Sequence, residues 1–193
     1  MANQLSDPSV KGIYLDIGCA SPQTLDRYLN WLYFGTFTTK RPEQTIDTIE
    51  GIPDDPEYLD LAQLWSLSIW LKDQQAADDV VNAFVAKMKE TQPLRLPGPK
   101  CISHVFSPIY SIQPALPRLI ATAYAAEASA DQLKAIFKCT NETFHAAVAA
   151  ELVALRIENR QKVASMNSCS FHAHAANEPC ESNEKARKRR RLG

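Results

Sequence analysis

The sequence predicts a mainly α fold: a helical bundle with one or two short β-strands, of the α+β kind. Three observations lead there. Apolar residues recur at helical spacing through most of residues 21–163. Two of these runs open on a capping side chain followed by proline, and one closes on glycine. Clear strand-type alternation occurs once, at Ile13, Leu15 and Ile17.

In chain order, residues 1–11 read as a flexible lead-in. Ile13-Tyr14-Leu15-Asp16-Ile17, bounded by Gly12 and Gly18, reads as a short strand, and Thr36-Phe37-Thr38 is the one other candidate. Ser21-Pro22 starts a helix, because serine caps and proline suits the first helical position. Leu25, Tyr28, Leu29 and Leu32 form its predicted inward stripe, and Gly35 is placed as its left-handed stop. Trp31 and Phe34 lie off that stripe.

Residues 43–60 hold seven acids and no Lys or Arg. They read either as a docking face for a basic partner or as a solvated loop whose acids gather at a helix N-terminus. Asp55-Pro56 opens the next helix. There Tyr58, Leu61, Ala62, Trp65 and Ile69 share a stripe that Leu64, Leu67, Trp70 and Leu71 widen, so it is the expected central helix. Asp73 caps a third helix with Ala77, Val80, Val81, Phe84 and Met88 on one face. Residues 91–100, with three prolines and Gly98, read as a linker.

Beyond it, 101–163 is predicted to be a helical extension. Cys101 to Tyr110 contains a short helix. Pro117 opens another, with Leu119, Ile120, Ala123 and Tyr124 inward, and Leu133, Ile136 and Phe137 mark a third. Thr140 or Asn141 caps a last helix through Phe144, Val148, Leu152 and Leu155. Residues 164–193 lose apolar periodicity and read as a disordered tail.

Composition narrows function. The net charge of −1 divides into five positive charges over residues 184–193 and −6 over the rest. An acidic body is not a nucleic-acid-binding body. Met1 to Asp7 is polar, no apolar run is long enough to span a membrane, and five scattered cysteines are expected to stay free in a reducing compartment. No phosphate-cradling glycine loop, nucleophile elbow or His-Glu-x-x-His occurs, so no enzyme activity and no cofactor are expected. His104 and His145 sit in apolar helical patterns and read as packing histidines. Cys19, Cys101 and Cys139 read as small buried apolar residues. Cys169, His172, His174 and Cys180 are zinc-ligand types at a spacing that matches no common finger, in a polar tail that offers no mini-core.

The tail run Lys185, Arg187, Lys188, Arg189, Arg190 and Arg191 reads as a nuclear import signal, with nucleic-acid contact or plain solvated charge as the other readings.

From Trp31 to Phe37 the sequence resembles BTB/POZ domains, whose second half runs strand, turn, helix ending in a Tyr-x-Gly step, then further helices. Here Ile13 to Ile17 is similar to the strand and Ser21 to Leu25 to the turn into the helix. Leu61 to Asp73 and Asp79 to Phe84 are similar to the helices that follow. The pattern is closest to BTB-type proteins of filamentous fungi, and 101–163 is similar to their helical extension. The resemblance implies a partial BTB/POZ-like domain over residues 12–90. The family's first hairpin, its two helices and a His-Lys step have no counterpart before Ile13.

The resemblance further implies a non-enzymatic adaptor or scaffold that binds protein partners. Ile13, Leu15, Trp31 and Phe34 are expected to line the groove or edge that the partner occupies. It leaves self-association and cullin-type ligase binding open. With the basic run it implies a nuclear or nucleocytoplasmic protein met by an import receptor. A nucleic-acid-associated regulator using the tail, or a degenerate BTB paralogue without defined activity, are the alternative readings.

Overall fold

The computed structural model describes residues 21–39, 46–49, 51–91, 94–107 and 114–158. The described chain is mainly helical, with one small antiparallel sheet. Its elements are α1 (Pro22–Phe34), β1 (Asp47–Ile49), β2 (Ile52–Asp54), α2 (Pro56–Trp70), α3 (Gln74–Met88), α4 (Pro99–Val105), α5 (Ala115–Glu127), α6 (Ala130–Lys138) and α7 (Glu142–Glu158). The expected strand at Ile13 to Ile17 lies outside the described residues. Thr36 to Thr38 is not a strand, and the sheet lies instead within the acidic stretch, pairing Thr48 with Pro53 and Ile49 with Ile52. Gly51, at φ 79, takes the left-handed step between the two strands.

Local chemistry sets the helix ends. Ser21 accepts from the Thr24 amide at 3.2 Å. The Asp55 carboxylate accepts from Glu57 N at 3.0 Å and that of Asp73 from Ala76 N at 3.1 Å. Each occupies an orphan amide of a first turn. Gly35, at φ 68, donates its amide to the Trp31 carbonyl and stops α1. The last cap is Asn141, which accepts from Phe144 N at 3.0 Å, while Thr140 donates back to the Ile136 carbonyl. Ser129 and Gln132 form a capping box at the start of α6.

α2 is the centre. It packs against α1, α3 and α4, and its Tyr58, Leu64, Trp65 and Leu67 are fully buried. A helix buried on most sides must satisfy its polar side chains internally. Ser66 and Ser68 do so by donating to the Ala62 and Leu64 carbonyls one turn back. Trp70, at the end of α2, is instead 46% exposed.

α5 and α7 form a second layer, and α4 touches both α2 and α5. Phe144 joins the layers, with edge-on rings of Phe106 at 5.1 Å and Tyr124 at 5.2 Å. The 91–100 stretch is no free tether. Residues 97–99 are buried, and Pro99 and Lys100 already belong to α4. Tyr58 donates to the Arg95 carbonyl at 2.5 Å, and Tyr124 donates to that of Pro97 at 2.6 Å. One extended segment is therefore held by a tyrosine from each layer. A Cβ on Gly98 would stand 2.6 Å from Asp54 Cα, so only glycine lets this segment lie against β2.

Candidate functional site

α1 is the element whose placement decides the surface. Its buried face is Thr24, Arg27, Tyr28 and Trp31; of the predicted stripe Tyr28 is buried and Leu25 packs half-buried on the core, whereas Leu29 and Leu32 are exposed. Each side chain of the buried face ends in a polar contact. Thr24 Oγ1 donates to Gln63 Oε1 at 3.1 Å, and Arg27 pairs with Asp60 at 2.8 Å. Tyr28 Oη donates to Asp73 Oδ2 at 2.8 Å, and Trp31 Nε1 donates to Asp79 Oδ2 at 3.0 Å. The spacing i, i+3, i+4, i+7 is the same as that of the leucines, turned by part of a revolution. The aromatic rings supply apolar area while the polar tips reach carboxylates on α2, α3 and the corner between them.

Trp31 is turned inward, where it lines a cavity between α1, α3 and the Thr36 to Thr39 segment. It is 3% exposed, and Phe37 stacks on it with ring centroids 5.7 Å apart. The physical reason is that its indole N–H has a buried carboxylate to meet, which an outward ring would lack. Phe34 is 69% exposed. Ile13 and Leu15 lie outside the described residues, as do Lys185, Arg187, Lys188, Arg189, Arg190 and Arg191. Exposed beside Phe34 are Leu29, Leu32 and Tyr33, which the sequence pattern had assigned inward or left unmarked.

Among the described residues of the acidic stretch Asp47 is exposed, while Asp55 and Glu57 stand at the N-terminus of α2 as the sequence allowed. Asp54, Asp55, Glu57 and Asp60 are buried. Lys87 Nζ lies 3.1 Å from Asp55 and 2.5 Å from Glu57, and Lys100 Nζ lies 3.2 Å from Asp54. Burial pulls the Lys87 pKa down, but the hydrogen bonds its ammonium donates to Glu57 and Asp55 outweigh that and leave it above the ordinary lysine value. Thr39 adds a hydroxyl to Glu57 at 2.7 Å. These acids fasten α2 to α3 and β2 to α4.

Beside this cluster a cavity of about 480 Å³ lies between α1, α2, α3 and the Thr36 to Thr39 segment. Of its lining charges, Glu57 and Glu90 pair with Lys87 and Asp79 holds Trp31. A second cavity of about 580 Å³ lies between β2, the Leu94 to Leu96 segment and α6.

The titratable side chains of the interior are packed. His104 Nε2 lies 2.9 Å from Ser66 Oγ. That hydroxyl donates to Ala62, so the imidazole donates to it. Burial lowers the His104 pKa, and no carboxylate contributes to that shift. His145 lies against Phe137 and reaches Thr140 at 3.1 Å. The Cys101 thiol is fully buried, with its pKa pushed well up, while Cys139 donates to carbonyls of its own helix. Cys19, Cys169, His172, His174 and Cys180 are outside the described residues. Among the described residues no group of three or more His, Cys, Asp or Glu could hold a metal ion, and no helix is long and apolar enough to cross a membrane.

Among the described residues no reactive constellation stands beside the exposed apolar side chains of α1. No family model matches the chain, and no curated protein or solved structure matches it either.

Proposed function

We propose that this protein is a non-enzymatic interaction module of BTB/POZ-like type, an adaptor or scaffold that takes protein partners on α1 and works in the nucleus. The observation that supports the reading is the outer surface of α1. Leu29, Leu32 and Tyr33 are exposed together on one side of a helix whose other face is anchored, and Phe34 is exposed at its C-terminal end. Clustered exposed apolar side chains on a rigid element are the usual mark of a protein-binding surface. The order of elements is in keeping with the resemblance: a helix closed by Tyr33-Phe34-Gly35, a buried central helix, a third helix, then a helical extension. The address is the basic run from Lys185 to Arg191, which an import receptor would read through acidic pockets.

The test compares affinity capture with the intact chain and with Leu32→Glu/Tyr33→Ser. Both positions are exposed, so the variant should fold normally while losing the partners that the intact chain retains. Identical partner sets would refute α1 as the binding surface. Imaging a chain with Arg187, Arg189, Arg190 and Arg191 replaced by alanine tests the address, and unchanged nuclear accumulation would refute it.

A further inference from the structure

The cavity between β2, the Leu94 to Leu96 segment and α6 has walls that the fold holds in place. Tyr58 and Tyr124 fasten the segment by donating to the Arg95 and Pro97 carbonyls, and Gly98 lets it lie against β2. Across from it stands α6, whose Ile136 is fully buried. Ile52, Leu94 and Leu96 pack on the core with part of their surface still exposed. The volume of about 580 Å³ falls within the roughly 300–1,000 Å³ of small-molecule sites. Such sites are mostly apolar and preformed, with a few placed polar groups. Water in this one meets hydrocarbon on most sides and finds few partners, so an apolar ligand gains by displacing it.

The placed polar group is Arg95. Its side chain is 38% exposed, and Nη1 lies 3.6 Å from Asp55, beyond hydrogen-bond reach. Lys87 meets that carboxylate more closely, at 3.1 Å. Among the described residues no acceptor takes any of the five N–H donors of the Arg95 guanidinium. A planar fork of donors matches a carboxylate, which it can hold by two parallel hydrogen bonds. Asp131 lines the α6 side of the cavity and is exposed, so water screens its repulsion of an anion at Arg95.

We propose that this cavity binds a small amphipathic carboxylate, with its apolar body among Ile52, Leu94, Leu96 and Ile136 and its carboxylate on the Arg95 guanidinium. The site lies apart from the exposed residues of α1 and stands independently of the function proposed above.

Titration of the full chain with decanoate, followed by calorimetry and by amide resonances, tests the site. Decanoate should shift the amides of Ile52, Leu94, Leu96 and Ile136 and raise the melting temperature. Decan-1-ol, which has the same chain without the charge, should bind about ten-fold more weakly. Decanoate should lose a similar factor on Arg95→Gln, as expected when a hydrogen bond between charged groups is removed. The affinity for decan-1-ol should be the same for Arg95→Gln and the wild type. Ala135→Leu keeps a good helix former on α6 and enlarges a lining side chain, so it should abolish decanoate binding. An unchanged melting temperature of that variant without ligand shows that its fold is intact. If it fails to fold, Arg95→Gln still decides the matter. Absence of shifts at the four apolar residues overturns the proposal, and so does equal decanoate affinity of the wild type and Arg95→Gln. Tighter binding of decylamine than of decanoate overturns it too, since the recognising charge would then be Asp131. Loss of partner capture by Leu32→Glu/Tyr33→Ser bears on the proposed function alone.

Discussion

Replacing Lys87 with methionine tests how the acidic stretch is held. The ammonium is 12% exposed and lies 3.1 Å from Asp55, 2.5 Å from Glu57 and 3.5 Å from Glu90. Methionine keeps the stem and removes the charge, leaving two carboxylates less than a tenth exposed at the start of α2. Removing one partner of a buried pair costs about 3–5 kcal/mol, because the other charge stays behind uncompensated. The low end, about 3 kcal/mol, applies here. Arg95 remains 3.6 Å from Asp55, and Thr39 still donates to Glu57. For a chain of this size that corresponds to a fall of roughly 6–12 °C in melting temperature.

Urea unfolding of the wild type, Lys87→Met, Glu57→Gln and the double variant gives the coupling directly. The double variant should recover about 1–2 kcal/mol of the loss, since an amide no longer needs the cation. Alkaline pH probes the same contact. The folded pKa of Lys87 lies above the unfolded value. Its stabilising contribution is therefore complete below about pH 10.4 and is lost as pH rises through the folded value. A Lys87→Met chain within about 0.5 kcal/mol of wild type would refute the argument that this ammonium organises the cluster.

Other outcomes follow from single residues. Trp31→Ala should cost about 3–5 kcal/mol in denaturant unfolding, whereas Phe34→Ala, at an exposed position, should stay within about 0.5 kcal/mol; equal costs would contradict the assignment of the two faces of α1. Lys72 is the one described non-glycine residue with positive φ, at 57°, in the turn where the Asp73 amide reaches the Ser68 carbonyl. Lys72→Gly should therefore raise stability by about 0.5–1 kcal/mol in thermal unfolding. Gly98→Ala should destabilise sharply and shift the amide resonances of Pro53's neighbours and Asp54, because the added methyl meets backbone. The folded pKa of His104 is depressed by burial. Its contribution to stability is complete above about pH 6.5 and is lost as pH falls through the folded pKa, which a pH series of unfolding curves with and without His104→Gln would reveal.

Much of the local structure was legible. Ser21-Pro22, Asp55-Pro56, Asp73 and Gly35 act at helix ends as residue type predicts, because capping is settled within four residues. The apolar faces of α2 and α3 were also readable, since buried helices carry their burial in composition. The hairpin was not: Asp47 to Asp54 lacks apolar alternation, and Pro53 disguises it. It is held by Lys100 on Asp47 and Asp54 and by the close approach of Gly98, contacts remote in sequence.

α1 shows where sequence reasoning stops. The sequence by itself determined that 22–34 is a helix, where it ends, and that it carries one apolar stripe with Trp31 and Phe34 off it. Only the tertiary structure decided which face goes inside. Hydrophobicity favours the leucines, but burial of Arg27, Tyr28 and Trp31 adds contacts to Asp60, Asp73 and Asp79 that the leucines cannot make. A helix can rotate to satisfy such partners at little backbone cost. The acids were visible in the sequence as charge, but their role as internal fasteners depended on which cations folding would bring to them.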